Sequence, residues 1–288
     1  MPVTNSVVVE LNGQAVPIVL FDPEPADVVH LDVPPKIPVR AAGKCIYFGS
    51  TSALQDEHVV PYGLSGDFVI PKASCASCAR ETGRCEQLVL RGPMRAARIY
   101  RKLKSRTQHG GSSDTQRIVI VRDSGEVAVD VPLAEYPILL NFPIFAQPGC
   151  LSGVHSPGIQ LHGIHTVLFG PLPEEVAKSL GARALRFPVA KEQPTAFARM
   201  IAKSAYGFAF AGGYLDRIEG VSPVIPSIIG QIDNIGQWVC SDQGKTVTYP
   251  GFLHRVVIRE IGLHLVAEVH LFADSQTPKY RVMLGRLR

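Results

Sequence analysis

The residues best suited to chemistry in this sequence are three cysteines and an acid–histidine pair, all within residues 45–86. Cys75 and Cys78 form a Cys-x-x-Cys pair that opens a predicted helix, and Cys45 lies thirty residues earlier. Two such pairs about 25–30 residues apart are typical of zinc sites, because each pair offers two thiolates to one tetrahedral ion. Phe48 stands where the first pair needs its second cysteine, so the sequence predicts a structural zinc site with three thiolates. Free thiols packed in the core are the alternative, since cysteine is often buried.

The acid–histidine pair is Glu57-His58, which is followed by Pro61 and by a glycine-bearing loop at residues 63–66. A histidine near its ordinary pKa of about 6.5 accepts a proton at neutral pH and can serve as a general base. Adjacent residues of a strand point to opposite faces, so both side chains reach one phosphate only where a bulge or loop interrupts the strand. The proline and the glycines are suited to such an interruption. A surface acid beside an ordinary histidine is the alternative.

The order of these features over residues 45–86 resembles the HNH endonuclease family, in the subgroup with a Glu-His pair and an Ala-Ser-Cys-x-x-Cys second knuckle. The resemblance implies a ββα-metal module that hydrolyses phosphodiester bonds with one divalent cation, Mg²⁺ or Mn²⁺. It also implies that His58 is the general base and that Glu57 is a ligand of the cation.

Several positions depart from the family pattern. Ala79 stands where family members usually carry an Asn or His metal ligand, and Glu81 and Glu86 are the nearby acids that could replace it. Asp67 is the best candidate for the residue that orients the catalytic histidine. Cys85 lies seven positions after the second knuckle, roughly 10 Å along a helix, and is not expected to reach the same ion. A second hypothesis therefore stays open, in which the module is a catalytically silent nucleic-acid or protein interaction domain.

A basic segment follows the cysteine motif. Residues 87–113 contain no acidic side chain but seven basic ones: Arg91, Arg95, Arg98, Arg101, Lys102, Lys104 and Arg106. Four of these have the offsets of one helix face: Arg91, Arg95, Arg98 and Lys102. We predict that this face, on a helical stretch over 76–103 that bends at Gly92-Pro93, contacts the phosphate backbone of DNA. A solvated helix face without a ligand is the alternative.

The patterns along the whole chain predict an α+β fold in three parts. Residues 1–40 form an N-terminal β-hairpin and a Pro-rich connector, residues 41–107 form the ββα module with its basic helix, and residues 115–288 form a larger α+β domain with an antiparallel sheet. The glycine-rich segment 108–114 is the predicted linker. In the C-terminal part we predict a hairpin (117–121 with 126–131), two helices (173–180 and 195–211) and three strands (253–259, 264–272 and 280–284). The second of these strands alternates apolar and polar residues, which predicts a sheet with one buried face.

Composition excludes several classes of protein. Hydrophobic residues make up 46% and charged residues 19%, which is typical of a globular rather than a disordered chain. No apolar run approaches the ~20 residues of a membrane span, and the N-terminus lacks a secretory pattern, so we expect a cytoplasmic protein without a membrane partner. The leading hypothesis is a metal-dependent HNH-type endonuclease acting on DNA. A thiol redox protein that uses Cys75 and Cys78 is disfavoured, because the expected βαβ setting is missing.

Overall fold

The structure is a computed structural model that describes residues 6–11, 14–19, 39–105, 115–187, 193–244 and 246–288. The described strands are β1 (Ser6–Leu11), β2 (Gln14–Val19), β3 (Leu54–His58), β4 (Val69–Cys75), β5 (Thr115–Arg122), β6 (Gly125–Pro132), β7 (Ile138–Phe145), β8 (Leu161–Phe169), β9 (Ala184–Arg186), β10 (Val239–Ser241), β11 (His254–Ile261), β12 (His264–Leu271) and β13 (Lys279–Arg286). The described α-helices are α1 (Ala76–Arg91), α2 (Arg95–Tyr100), α3 (Gly149–Ser152), α4 (Pro173–Ser179), α5 (Pro194–Ala211) and α6 (Ile225–Ile228). The predicted linker at 108–114 and the Pro-rich connector before residue 39 lie outside the described residues.

The segment that carries the cysteines folds as two antiparallel strands followed by a helix. Strands β3 and β4 pair with each other, and α1 begins directly after β4 at Ala76. The predicted bend is confirmed, because α1 ends at Arg91 and α2 begins at Arg95 beyond Gly92 and Pro93. Proline lacks the amide proton that would continue the hydrogen-bond ladder, so the helix cannot pass through this position undisturbed. The helical stretch ends at Tyr100, three residues earlier than predicted.

The pairing of β3 with β4 contains the predicted irregularity, at a different place. The register shifts between Gln55 and Glu57, before the histidine rather than after it. Lys72 on the opposite strand has a φ of 50°, and its amide donates a 3.0 Å hydrogen bond to Asp56 Oδ1. This interruption lies beside the point where the strand ends, so that Glu57 and His58 both line one cavity.

The remaining described strands pair antiparallel throughout, which confirms the predicted α+β class. The predicted hairpins are present as β1–β2 and β5–β6, and β9 pairs with the free edge of β5. Strands β7 and β8 form a second pair, and the C-terminal sheet has the order β10-β13-β12-β11. The predicted helices are present as α4 and α5.

The prediction that the C-terminal sheet has only one buried face is wrong for its central strand. The residues of β12 after His264 are all buried, including Glu268 and His270 on the polar side. Arg259 Nε donates a 2.7 Å hydrogen bond to Glu268, and the ring of Tyr249 packs edge-on against His270. Neighbouring side chains therefore cover the face that alternation assigns to solvent.

Helix α5 lies at the centre of the hydrophobic core. It is apolar on nearly all sides and packs against α1, against β3 and against the C-terminal sheet. One cluster of buried apolar side chains contains α5 together with residues from Cys45 in the cysteine segment to Leu284 in β13. Across the described ranges, no helix, α5 included, is both long and apolar enough to cross a membrane.

Candidate active site

A cavity of about 740 Å³ opens where β3, the loop after it, α1 and α2 meet. Its walls contain both members of the acid–histidine pair, three basic residues of the predicted phosphate-binding set, and two further charged residues from helices: Glu57, His58, Arg91, Arg95, Arg98, Glu86 and Lys203. Lys203 comes from α5, more than a hundred residues away in the sequence. The second half of the chain thus contributes a charged side chain to a site that the first half builds.

The ammonium group of Lys203 lies between the two glutamates of the cavity. Its Nζ is 2.8 Å from Glu57 Oε1 and 2.7 Å from Glu86 Oε1, and it also donates a hydrogen bond to the main-chain carbonyl of His58. The lysine side chain is only 3% exposed and that of Glu57 only 7%, so this is a buried ion-pair network. Burial by itself lowers the pKa of Lys203, but Glu86 and Glu57 outweigh it and hold the pKa above its ordinary value.

The orientation of His58 is set by the loop that follows β3. Its Nδ1 faces the carbonyl oxygen of Gly66 at 3.3 Å, so that nitrogen carries the proton when the hydrogen bond forms. The other ring nitrogen, Nε2, makes no hydrogen bond within the described residues and is left as the proton acceptor. A Cβ at Gly66 would overlap the carbonyl of Val60, so the close approach of this turn requires glycine. The predicted orienting residue, Asp67, is exposed and pairs with Lys104 instead.

Two side chains fix this loop to the rest of the molecule. His254 on β11 donates from Nε2 to the carbonyl of Leu64 at 2.7 Å, and its Nδ1 accepts a 3.2 Å hydrogen bond from the Phe272 amide. Burial lowers the pKa of His254 to about 4, so the ring is neutral at pH 7. From the other side Arg98 donates to the carbonyl of Gly63. The loop that carries the Gly66 carbonyl, the hydrogen-bond partner of His58, is therefore held in place from two sides.

The four residues of the predicted basic face do not share one helix face. Arg91 and Arg95 are exposed and line the cavity on either side of the break between α1 and α2. Arg98 also borders the cavity, but its guanidinium donates to the carbonyls of Gly63, Leu90 and Lys104 and is half-buried. Lys102 is exposed beyond the end of α2 and is not among the lining residues. The break at Gly92 changes the direction of the chain, so the single-helix spacing does not apply.

The three predicted zinc ligands converge. The Sγ atoms of Cys45, Cys75 and Cys78 all lie within 4.8 Å of one another, and all three residues are buried, so the group could hold a metal ion. The hydroxyl of Ser77 lies 3.3 Å from Cys75 Sγ. This hydrogen bond, together with weaker ones from Cys78 and Cys45, lowers the pKa of the Cys75 thiol to about 7 against the opposing effect of burial. Burial raises the pKa of Cys78. Cys85 is not part of the group, as expected from its helical offset.

The structure also places the residues at which the sequence departs from the family pattern, and the acids that could compensate for them. The side chain of Phe48 is 54% exposed, so it does not fill the corner of the missing fourth cysteine. Ala79 lines the cavity and provides no ligand atom. Of the two acids proposed to replace it, Glu86 approaches Glu57 through the shared lysine, whereas Glu81 is not among the lining residues.

Sequence reasoning missed Lys203 and His254, although Lys203 left a signal. It is the one charged residue in the apolar stretch 200–211 of α5, and lysine is almost never fully buried without a partner. That pattern indicates a buried anion near α5 without indicating which one. Nothing in the sequence around His254 marks its contact with Leu64.

No protein-family model matches the sequence, and comparisons with curated proteins and with solved structures find no match either. The residues that line the cavity are therefore the basis for assigning a function.

Proposed function

We propose that this protein is an HNH-type endonuclease that hydrolyses phosphodiester bonds in DNA, with His58 as the general base. The observation that carries the proposal is that one cavity is lined by His58 and by the exposed residues Arg91 and Arg95. His58 Nδ1 faces the Gly66 carbonyl, and Nε2 has no hydrogen-bond partner among the described residues. A general base and two positive charges suit a site of attack on a phosphodiester.

The chemistry assigned to these residues is a single displacement at phosphorus. Nε2 of His58 accepts a proton from a water molecule as the water oxygen bonds to phosphorus and the bond to the leaving oxygen breaks. The leaving oxygen departs as an alkoxide and takes its proton from solvent water. Arg91 and Arg95 hold the phosphate through its non-bridging oxygens and offset the charge that builds up there. A general base contributes about 10²–10⁴-fold to such a rate. Because these contacts are to the backbone, we expect little sequence specificity.

A catalytic Mg²⁺ or Mn²⁺, which the family resemblance implies, fits this arrangement poorly. The cation would need oxygen ligands from Glu57 and from the following helix. Glu57 and Glu86 are already joined by the Lys203 ammonium, and Ala79 has no ligand to add. The chemistry above therefore includes no metal step.

The structural zinc site fits better, because its donor set is in place. Cys45, Cys75 and Cys78 would bind the ion and join the turn at residues 45–48 to the start of α1. Tyr206 on α5 supports the same turn, since its hydroxyl donates a 2.7 Å hydrogen bond to the carbonyl of Ile46. Zinc here would brace the module without taking part in the reaction.

The experiment is nicking of supercoiled plasmid by the purified protein in buffers with Mg²⁺, Mn²⁺ or EDTA. His58→Ala tests the base, and His155→Ala, an exposed histidine away from the cavity, is the matched control. The proposal predicts nicking by the wild type and the control and a rate lower by about 10²–10⁴-fold for His58→Ala.

The second candidate is a catalytically silent module that binds nucleic acid. The observation in its favour is that Ala79 and Lys203 leave no described metal-ligand set beside His58. Folded wild-type protein that binds DNA in a salt-dependent way, yet nicks no plasmid in any buffer, would support this candidate over the nuclease.

A further inference from the structure

The three interactions of Lys203 match the capacity of its ammonium group. A lysine ammonium has three protons to donate. In this structure it has three acceptors, namely Glu57 Oε1, Glu86 Oε1 and the carbonyl oxygen of His58. No donor remains for a substrate, so Lys203 acts by positioning its acceptors rather than by contacting DNA.

The acceptors of Lys203 are also the kind of oxygen set that binds a hard divalent cation. Two carboxylates and a main-chain carbonyl, contributed by β3 and α1, point at one place. In this structure the Lys203 ammonium, with a charge of +1, lies between these oxygens. Together with the two carboxylates it leaves a net charge of −1, whereas a divalent ion would leave a net charge of zero.

The packing of α5 holds the ammonium there. Gly207, one turn after Lys203, packs beside Val59, the residue after His58: an added Cβ would lie 3.5 Å from the Val59 side chain, in ordinary van der Waals contact. Arg199, one turn before, donates two hydrogen bonds to the carbonyl of Ile228. The Lys203 side chain is only 3% exposed, so moving its charge away from the two carboxylates into the surrounding apolar side chains is costly.

We infer that Lys203 is the resident cation of this site and takes the place of the divalent metal, so that Glu57 and Glu86 bind no Mg²⁺ or Mn²⁺. The inference rests on the proposed function only for its consequence, which is that DNA cleavage proceeds in EDTA. Whether Glu57 and Glu86 bind a divalent ion in the presence of Lys203 is tested by a binding measurement that does not depend on DNA cleavage.

The test is binding of Mn²⁺, followed by its electron paramagnetic resonance signal. Mn²⁺ prefers oxygen ligands, so the thiol cluster does not compete for it. We expect the wild type to show no saturable site and Lys203→Ala to bind one equivalent. The double variant Lys203→Ala/Glu86→Gln should lose that site, whereas Lys203→Ala/Glu81→Gln, altered five residues earlier on the same helix, should keep it.

The melting temperature in the presence of Mn²⁺ distinguishes a lysine that replaces a metal ion from a lysine that only stabilises the fold. Mn²⁺ at about 100 times its dissociation constant should raise the Tm of Lys203→Ala by about 5 °C or more and leave the wild type unchanged. A wild-type Mn²⁺ site that disappears in Glu86→Gln would overturn the inference, as would a folded Lys203→Ala protein that binds none. If Lys203→Ala does not fold even with Mn²⁺, the wild-type titration decides alone.

Cleavage data distinguish this inference from the function it rests on. Equal nicking in EDTA and in Mg²⁺ supports both. Nicking that requires Mg²⁺ overturns the inference and keeps the nuclease. Absence of nicking in every buffer overturns the nuclease, while the Mn²⁺ titration still decides the role of Lys203.

Discussion

Lys203 Nζ lies 2.7 Å from Glu86 Oε1, although the two residues are 117 positions apart in the sequence. The contact joins α5, at the centre of the core, to the helix that follows the cysteine motif. Through the same nitrogen, α5 also reaches Glu57. The C-terminal part of the chain therefore completes the site as well as supporting it.

The first prediction concerns the stability of this ion-pair network. Lys203→Met should lower the free energy of unfolding by about 3–5 kcal/mol, because the buried carboxylate of Glu57 and the partly buried one of Glu86 lose their counter-charge. Urea denaturation measures the change, with the exposed Lys178→Met as control. Adding Glu57→Gln and Glu86→Gln to Lys203→Met should recover part of the loss. A cost below about 1 kcal/mol for the single variant would contradict the buried network.

The cysteine cluster predicts a metal content. Protein purified without chelators should contain about one zinc ion per chain, and its removal should lower the Tm. Cys78→Ala should abolish binding because it removes one of the three converging thiols. Cys85→Ala is the matched control, since it removes a buried cysteine of the same helix outside the cluster. Elemental analysis measures the zinc content of both variants. Equal zinc in Cys78→Ala and Cys85→Ala would contradict zinc binding by the cysteine cluster.

The cavity arginines predict a particular salt dependence. Arg91→Ala and Arg95→Ala should each weaken DNA binding for all sequences and reduce the slope of log K against log salt by about 0.9. Arg84→Ala, an exposed residue of α1 away from the cavity, should change neither quantity. Fluorescence anisotropy at several salt concentrations measures both. Affinity that does not vary with salt would exclude a phosphate-binding role for these arginines.

His254 predicts a dependence of stability on pH. Its pKa is lowered to about 4 in the folded protein, against about 6.5 when unfolded, mainly because it is buried. Between these values the unfolded chain binds a proton that the folded chain does not, so stability is full above pH 6.5 and falls as the pH drops towards 4. The loss should be about 3 kcal/mol. In His254→Gln the pH dependence over this window should be smaller, and in His155→Gln it should be unchanged, as measured by urea denaturation at a series of pH values.

Much of the fold could be predicted because the relevant signals are local. The Asn12-Gly13 dipeptide predicts the first hairpin, and the apolar spacing over 195–211 predicts α5 to within a residue. Proximity of Cys45 to the later pair was predictable because cysteine spacing encodes a tertiary contact. The burial of Glu268 on β12 was not predictable, because it depends on partners from other strands.

The site was predicted in part for the same reason. Glu57 and His58 are adjacent, so a local motif is enough to place them together. Arg98 and Asp67 have partners in the structure that the helix pattern does not reveal: main-chain carbonyls for Arg98 and Lys104 for Asp67. Lys203 reaches the site only through the packing of α5, which no spacing along the chain encodes.

The central claim is that His58 serves as the base of a phosphodiester-cleaving site, and plasmid nicking under single-turnover conditions tests it most directly. The rate for His58→Ala should fall by about 10²–10⁴-fold relative to wild type and to His155→Ala, with the melting temperature preserved because His58 is only partly buried. A folded His58→Ala protein that nicks plasmid at the wild-type rate would contradict the account.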